Sequence, residues 1–272
     1  MTTKVNVRNN IFQHVQVLKT NRKKRTHYKE FVVEGVRNIN EALRNGWNIK
    51  SFLFSEGELS DWAQDILHKV KTEMNYEFSK ELMKELSGKE DTSELMAIVE
   101  MRELSLSEIK LSENPFFLLF DRPSNKGNLG TIIRSCDSLG VDCLIITGHA
   151  VDVYDPDVIA STMGAFFSLP VVRISENESL WKLIDRMKER YEGFRLVGST
   201  AHQKKAIYET DLSSPLMLLI GNETKGLSYA YRENCDVLCT IPMAEGATSS
   251  SFNVGCAASI MMYEVMRQRR QI

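Results

Sequence analysis

The chain has 272 residues, of which 43% are apolar and 26% charged, with a net charge of −2, a composition ordinary for a soluble globular protein of one or two domains. Its longest apolar runs, such as Leu216–Ile220, are far shorter than the roughly 20 residues of a membrane span. Its N-terminus is polar and basic without an apolar core, so we expect no signal peptide. Five cysteines without a Cys-x-x-Cys pair argue against a disulfide framework or a zinc site, so we expect reduced thiols, no metal and a cytoplasmic location.

The first hundred residues alternate between helical and extended patterns. Apolar side chains at helical spacing predict four helices, over 8–19, 36–43, 59–70 and 79–86. Short apolar runs predict four strands, at Phe31–Val33, Ile49–Phe54, Tyr76–Phe78 and Leu95–Met101. This alternation predicts a small α/β domain over residues 1–103.

The start of this domain is strongly basic. Residues 1–30 carry a net charge of +7, which leaves −9 on the rest of the chain, and this contrast predicts a polyanionic partner. The run Asn21–Arg25 is predicted to be a loop, in which we expect Arg22, Lys23 and Arg25 to contact phosphates. A solvated basic tail without a partner is the alternative interpretation.

Residues 104–114 have weak periodicity and end at Pro115, so we interpret them as a linker. Over 115–272, near-continuous apolar runs alternate with amphipathic segments, which predicts a six-stranded, mostly parallel sheet covered by helices on both faces. The predicted strands are Phe116–Phe120, Cys143–Thr147, Pro170–Ile174, Phe194–Thr200, Leu216–Ile220 and Val237–Ile241. The predicted helices cover 128–139, 157–167, 177–190, 226–234 and 252–269.

Two polar stretches follow the first and fifth of these strands. Asn128 is predicted to be the N-cap of a helix carrying Arg134, whose cationic side chain suits a phosphate, although a surface ion pair would use the same residue. Gly221 and Gly226 bracket a tight turn in which Glu223 is the only acid. A helix-capping role for that glutamate is the alternative.

A third stretch runs from Ile241 and Met243 to Ser251, Phe252 and Asn253. Its hydroxyl and amide groups either satisfy free N–H groups at the start of the last helix or hold the polar edge of a purine. All three stretches follow strands of one parallel sheet and therefore lie at the same edge, where ligands bind. Their common position favours a joint role in one pocket for a small ligand rich in hydrogen-bonding atoms.

The order and spacing of these stretches resemble a known family. Asn128-x-Gly-x-x-x-Arg134, Gly221-Asn-Glu-x-x-Gly-Leu-Ser228 and Ile241-Pro-Met…Ser251-Phe-Asn253 look like the three motifs of the SpoU (TrmH-type) RNA 2′-O-ribose methyltransferases, in the SPOUT superfamily. The resemblance covers about 116–268, and residues 1–100 resemble the small substrate-binding domain of many members. It implies an α/β knot (a deep trefoil), S-adenosylmethionine as cofactor, and a homodimer formed through the C-terminal domain.

The resemblance also implies roles for individual residues. The residues that would hold the cofactor are Thr200, Gly221, Ile241, Met243 and Phe252. The residues that would form the catalytic set are Arg134, Asn128, Glu223, Ser251 and Asn253. The sequence departs from the family pattern in a longer loop at 244–251, in a phenylalanine at 252 where leucine is usual, and in a glycine at 255 where serine is common.

The implied chemistry suits these residue types. A ribose 2′-hydroxyl becomes a nucleophile only when its proton is removed or its developing oxyanion is stabilised, and transfer of a methyl group from a sulfonium needs no metal. Arg134 is a poor base because the pKa of a guanidinium is about 12 or higher, so we expect it to bind a phosphate and stabilise the alkoxide. Whether it also accepts the proton stays open.

The substrate expected from this resemblance is structured RNA, with ribosomal RNA favoured over transfer RNA. The alternatives are a transfer RNA 2′-O-methyltransferase, a non-catalytic ribosome assembly factor on the same scaffold, and a methyltransferase acting on a guanine ring nitrogen. A Rossmann-type oxidoreductase is disfavoured because the chain has no Gly-x-Gly-x-x-Gly fingerprint.

Overall fold

A computed structural model describes residues 1–88, 92–104, 108–201 and 205–270. The chain forms two compact units. The first contains Met1–Glu103 and Asp152–Ser168, and the second contains Leu104–Val151 and Leu169–Ile272. The predicted domain boundaries, at residues 103 and 115, stay a prediction. Residues 152–168, which were predicted to belong to the second domain, pack in the first unit. Residues 105–107 of the predicted linker lie outside the described part of the chain.

The first unit contains a five-stranded mixed sheet. Its strands are β1 (Thr2–Val5), β2 (Glu30–Glu34), β3 (Ile49–Ser55), β4 (Asn75–Phe78) and β5 (Leu95–Glu100). They lie in the order β1-β4-β3-β5-β2, in which β5 is antiparallel to both of its neighbours and β1, β4 and β3 are parallel. The helices are α1 (Asn10–Thr20), α2 (Arg22–Tyr28), α3 (Val36–Arg44), α4 (Asp61–Lys69), α5 (Lys80–Ser87) and α7 (Pro156–Thr162).

Two of these elements were missed by the sequence prediction, β1 and α2. Three of the four residues of β1 are exposed, so this edge strand has no apolar pattern to reveal it. Helix α2 replaces the predicted basic loop, and its sequence Arg-Lys-Lys-Arg-Thr-His-Tyr contains no apolar stripe. The side chain of Asn21 caps it by accepting a hydrogen bond from the Lys24 backbone N–H at 3.2 Å.

Arg25 holds α2 in place, and this corrects its predicted role as a phosphate contact. Its side chain is 2% exposed and pairs with Asp152 at 2.8 Å and Asp155 at 3.3 Å. It also donates to the backbone oxygens of Leu18 and Lys19. A guanidinium that is buried and paired in this way has no exposed donor for RNA, so Arg25 is a structural cation.

The second unit contains a six-stranded sheet. Its strands are β6 (Phe116–Asp121), β7 (Cys143–Thr147), β8 (Val171–Ile174), β9 (Arg195–Ser199), β10 (Leu216–Ile220) and β11 (Val237–Cys239). They lie in the order β11-β9-β10-β6-β7-β8, and every adjacent pair is parallel, which confirms the predicted sheet. All residues of β6, β7 and β10 are buried, which explains their continuous apolar runs.

The strand order reverses between β6 and β10. Strands β7 and β8 follow β6 on one side, whereas β9, β10 and β11 lie on the other, so the loops after β6 and β10 leave neighbouring strand ends. In open α/β sheets such a switch point is where ligands bind. The trefoil knot concerns how the chain is threaded, which strand order alone does not decide, and it stays a prediction.

The helices of the second unit are α6 (Lys126–Ser138), α8 (Asn177–Arg190), α9 (Tyr229–Glu233) and α10 (Val254–Arg270). Helix α8 has the predicted bounds, and α10 packs along α6. The predicted helix at 157–167 breaks after Thr162, because Met163 and Gly164 take left-handed conformations, and a 3-10 helix follows at Ala165–Phe167. Within the described ranges, no helix is long and apolar enough to cross a membrane.

Candidate active site

A cavity of about 410 Å³ opens at the switch point of the parallel sheet. Apolar side chains form part of its wall, and the turn from Gly221 to Gly226 adds backbone groups. The structure brings seven predicted site residues to this cavity: Thr200, Gly221, Glu223, Ile241, Met243, Ser251 and Phe252. They come from the second and third stretches and from the end of β9, so these two stretches share one pocket, whereas Asn128 and Arg134 of the first stretch do not line it.

The turn after β10 is closed tightly. The backbone groups of Asn222 and Gly226 exchange hydrogen bonds at 3.1 and 3.0 Å, and the Asn222 side chain accepts from the Thr224 and Lys225 N–H groups. A Cβ atom at Gly221 would overlap the backbone of Leu227. Glycine is therefore required there by the close approach of two chain segments.

Glu223 links this turn to the start of α6. Its carboxylate accepts hydrogen bonds from Ser124 Oγ at 2.6 Å, the Ser124 N–H at 3.1 Å and the Asn125 N–H at 3.1 Å. Burial by itself raises the pKa of the Glu223 carboxyl, but these hydrogen bonds outweigh it and hold the pKa below its usual value. Glu223 is therefore an ionised acceptor that fixes the loop before α6, unsuited to removing a proton.

The N-cap of α6 is Asn125, which corrects the prediction of Asn128. Asn125 Oδ1 accepts from the Asn128 N–H at 2.9 Å, and the helix begins at Lys126. The sequence Asn-Lys-Gly-Asn offers two possible caps, and the first apolar position, Leu129, favoured the later one. Because Asn128 lies inside the first turn, its side chain is available for another partner.

That partner is Asn253, at the start of α10. Asn253 Nδ2 donates to Asn128 Oδ1 at 3.1 Å, and Asn253 Oδ1 accepts from the Gly255 N–H at 2.9 Å. The side chain of Asn253 thus caps α10 and joins the first and third stretches. A Cβ atom at Gly255 would lie 3.3 Å from Thr131 Cγ2, so glycine at this position allows α6 and α10 to approach closely.

Arg134 lies on the exposed face of α6 and is absent from the wall of the cavity. Its guanidinium has no hydrogen-bond or ion-pair partner among the described residues. An unpaired cation on a rigid helix is available to an anion from outside this unit. Ser251 is also exposed, and it lines the cavity.

Sequence reasoning missed an ion pair at the end of β6, formed by buried Asp121 and partly exposed Arg122. Asp121 is 2% exposed and accepts two hydrogen bonds from the Arg122 guanidinium, at 3.0 and 2.8 Å. It also accepts from the Ser228 N–H at 2.9 Å, beyond the turn after β10. A charged dipeptide at the end of an apolar strand was the available signal, because a charge buried there needs a partner.

No group of three or more His, Cys, Asp and Glu side chains suited to a metal ion occurs in the part of the chain that the structure describes. The predicted absence of a metal stays a prediction.

Comparisons with known proteins place this geometry among RNA methyltransferases. The sequence model of the SpoU rRNA Methylase family matches residues 115–263, and that of the SpoU L30e-like domain matches residues 9–97. The chain is 41% identical to the 23S rRNA (uridine(2479)-2′-O)-methyltransferase of Streptomyces viridochromogenes, over 98% of this chain and 92% of that protein. It is 27% identical to the 23S rRNA (guanosine(2553)-2′-O)-methyltransferase RlmP of Bacillus subtilis, over 90% and 91%.

A solved structure is similar over nearly the whole chain. The SpoU methyltransferase AviRb from Streptomyces viridochromogenes, in complex with the cofactor AdoMet, superposes with a TM-score of 0.89 at 40% identity. The match covers 97% of this chain and 100% of that one. Both the sequence and the fold therefore match one family over both of the structural units.

Proposed function

Because the chain belongs to the SpoU rRNA methylase family, we propose that it transfers a methyl group from S-adenosylmethionine to a ribose 2′-hydroxyl of ribosomal RNA. The observation that carries this proposal is the meeting of six motif residues and Thr200 around one cavity at the switch point. The relatives named as 23S ribosomal RNA methyltransferases make that RNA the first substrate to test.

The cavity fits the proposed cofactor. Its volume of about 410 Å³ lies in the usual range for small-ligand sites. Ile241, Met243 and Phe252 offer apolar surface for a purine ring, and the turn from Gly221 to Gly226 offers backbone donors and acceptors for polar edges. When bound, S-adenosylmethionine supplies an electrophilic methyl group on a sulfonium.

The residues of the chain would prepare the ribose for attack. Arg134 would bind the phosphate next to the target ribose and stabilise the negative charge that develops on the 2′-oxygen. The hydrogen bond between Asn128 and Asn253 holds the starts of α6 and α10 together, and Glu223 fixes the loop before α6. Placing the 2′-oxygen in line with the methyl group then supplies much of the rate.

We propose that the site is completed by a second copy of the chain, with α6 and α10 at the interface. Arg134 is absent from the cavity wall of its own chain, and α10 exposes Ile260 and Tyr263, which are 38% and 49% exposed. In such a homodimer, Arg134 of one chain acts at the cofactor of the other. Mixing an Arg134→Ala chain with a Gly221→Ala chain should then restore activity that neither variant has alone.

The first unit would recruit the RNA. Helix α2 exposes Lys23 and Lys24, which follow Arg22, and Arg25 anchors this helix from its buried side. Lys23 and Arg22 remain our proposed phosphate contacts. Ribosomal RNA as substrate also implies that the protein works in the cytoplasm.

The proposal is tested with tritiated S-adenosylmethionine and ribosomal or transfer RNA from a strain that lacks this protein. We expect label in ribosomal RNA, at a 2′-O-methylated nucleotide after mapping. Label in transfer RNA would support the transfer RNA alternative, and label on a guanine base would support ring-nitrogen methylation. RNA binding without label in either pool would favour the assembly-factor alternative.

Arg134→Ala provides the mechanistic control. We expect this variant to lose turnover and to keep cofactor binding measurable by calorimetry, because Arg134 lies outside the cavity. Full activity of Arg134→Ala would remove this residue from the mechanism.

A further inference from the structure

The dipeptide Asp121-Arg122 lies outside all three motif stretches, and its aspartate is buried while its arginine is partly exposed. We infer that Arg122 is a positioning residue for cofactor binding, which holds the Gly221–Gly226 turn against the end of β6. The carboxylate of Asp121 fixes the orientation of the Arg122 guanidinium by accepting two hydrogen bonds from it. This inference rests on the proposed function, because it concerns the turn that would contact S-adenosylmethionine.

Asp121 connects three neighbouring segments through its two carboxylate oxygens. Oδ1 accepts from Arg122 Nε at 3.0 Å and from the Thr147 hydroxyl of β7 at 3.4 Å. Oδ2 accepts from Arg122 Nη2 at 2.8 Å and from the Ser228 N–H at 2.9 Å. These bonds compensate for burying the carboxylate and fix the direction of the guanidinium.

Arg122 reaches the turn with both its side chain and its backbone. Nη2 donates to the backbone oxygen of Gly226 at 3.0 Å, and the Arg122 carbonyl accepts from Asn222 Nδ2 at 2.7 Å. Its own N–H donates to the Thr147 carbonyl at 3.1 Å. The residue therefore ties the first and last positions of the Asn222–Gly226 bridge to the strand ends of β6 and β7.

The backbone of Arg122 is strained. Its φ of 54° lies in the left-handed region, where a residue other than glycine is unfavourable. Glycine would adopt this conformation without strain, so an arginine here indicates that its guanidinium is used. Glycine at position 148, just after β7, leaves space for the Arg122 side chain, because a Cβ atom there would lie only 2.6 Å from Arg122 Cγ.

The geometry explains why cofactor affinity should depend on a residue that does not line the cavity. Gly221, Asn222 and Gly226 line it, whereas Asp121 and Arg122 do not. The backbone groups of the turn bind a ligand only if they are held in position before it arrives. The Arg122 guanidinium supplies that restraint.

Two substitutions at this position separate positioning from strain. Arg122→Gly removes the guanidinium and relieves the left-handed strain, whereas Arg122→Ala removes the guanidinium and keeps the strain. We expect both variants of the full-length protein to bind S-adenosylmethionine about tenfold more weakly or worse in calorimetry, since the hydrogen bond from the charged guanidinium to the Gly226 carbonyl is lost. Arg122→Ala should melt at a lower temperature than Arg122→Gly.

Chemical rescue provides a readout that a general loss of stability would not move. Adding methylguanidinium at millimolar concentration to Arg122→Gly should recover part of the cofactor affinity, while sodium chloride at equal ionic strength should not. Arg186→Ala, which removes an exposed arginine from α8 of the same unit, should leave the affinity unchanged.

The outcomes distinguish this inference from the proposed function. Wild-type protein that fails to bind S-adenosylmethionine contradicts the proposed function itself. Wild-type binding together with equal affinity in Arg122→Gly overturns the inference alone. Weaker binding that methylguanidinium restores supports both.

Discussion

Replacement of Glu223 by glutamine tests whether this carboxylate positions the site or takes part in proton transfer. Glutamine keeps the shape of the side chain but turns one acceptor oxygen into a donor. Oε2 accepts from three groups and Oε1 mainly from the Asn125 N–H at 3.1 Å, so the amide nitrogen is best placed at Oε1. There it faces the Asn125 N–H, and that hydrogen bond is lost.

The expected magnitude follows from this single contact. A hydrogen bond to a charged group contributes about 1.5–3 kcal/mol, and the half-buried position of Glu223 favours the lower limit of about 1.5 kcal/mol. If this lost free energy acts entirely on the position of α6 in the transition state, the rate of methyl transfer decreases about tenfold. The melting temperature should fall by no more than about 5 °C.

The assay is tritium transfer to ribosomal RNA at saturating S-adenosylmethionine, with Glu189→Gln as the control. Glu189 is exposed near the end of α8, so its substitution makes the same change of charge without touching the loop before α6. We expect the control to retain wild-type rate and stability. A Glu223→Gln variant as active as this control would contradict a positioning role.

The pH dependence gives the decisive comparison. A carboxyl whose pKa is lowered in the folded protein contributes stability that is fully present above its unfolded pKa and is lost as the pH falls through the folded value. Glu223 should therefore stay ionised from about pH 6 to about pH 8, and the variant should have the same pH profile as the wild type there. A wild-type inflection in this range that disappears in Glu223→Gln would identify Glu223 as a base and refute the reasoning.

Three further predictions concern Arg25, Lys23, Asn253 and Gly221. Arg25→Met should lower the free energy of unfolding by about 3–5 kcal/mol in chemical denaturation, because it removes the buried cation that pairs with Asp152 and Asp155. Lys23→Gln should weaken RNA binding in filter assays without changing stability, and the reverse pattern would restore Arg25 as an RNA contact. Asn253→Ala should cost about 1 kcal/mol through loss of the α10 cap and should slow methyl transfer; unchanged thermal unfolding would contradict the capping role. Gly221→Ala should abolish calorimetric binding of S-adenosylmethionine, because its Cβ overlaps the backbone of Leu227; retained affinity would show that the turn adapts.

Much of the second unit could be predicted because its central strands β6, β7 and β10 are buried on both faces. Continuous apolar runs identified all six strands, and β7 and β10 have the predicted bounds. The family resemblance is confirmed, and predicted residues of the second and third stretches meet at one cavity. The exact roles of those residues stay proposals, since their identity does not specify which hydrogen bonds they form.

The predictions for the first unit were weaker for a physical reason. Helix α2 is held by a buried cation and a cap rather than by an apolar stripe, so hydrophobic periodicity has nothing to detect. The edge strand β1 exposes three of its four residues, so hydrophobic periodicity does not detect it either. Helices and strands that are stabilised by polar contacts can be predicted only when the residues on the other side of those contacts are known.

The sequence by itself determined the alternation of strands and helices, the parallel sheet and the set of polar residues that follows its strands. These features depend on which side chains are buried, and the spacing of apolar residues along the sequence indicates that directly. Tertiary structure alone decided that Arg25 is buried, because its partner Asp152 is 127 residues away in the sequence. It also decided that Asn128 contacts Asn253 and that Asp121 and Arg122 restrain the turn after β10, because a polar side chain takes its role from the partner that folding brings to it.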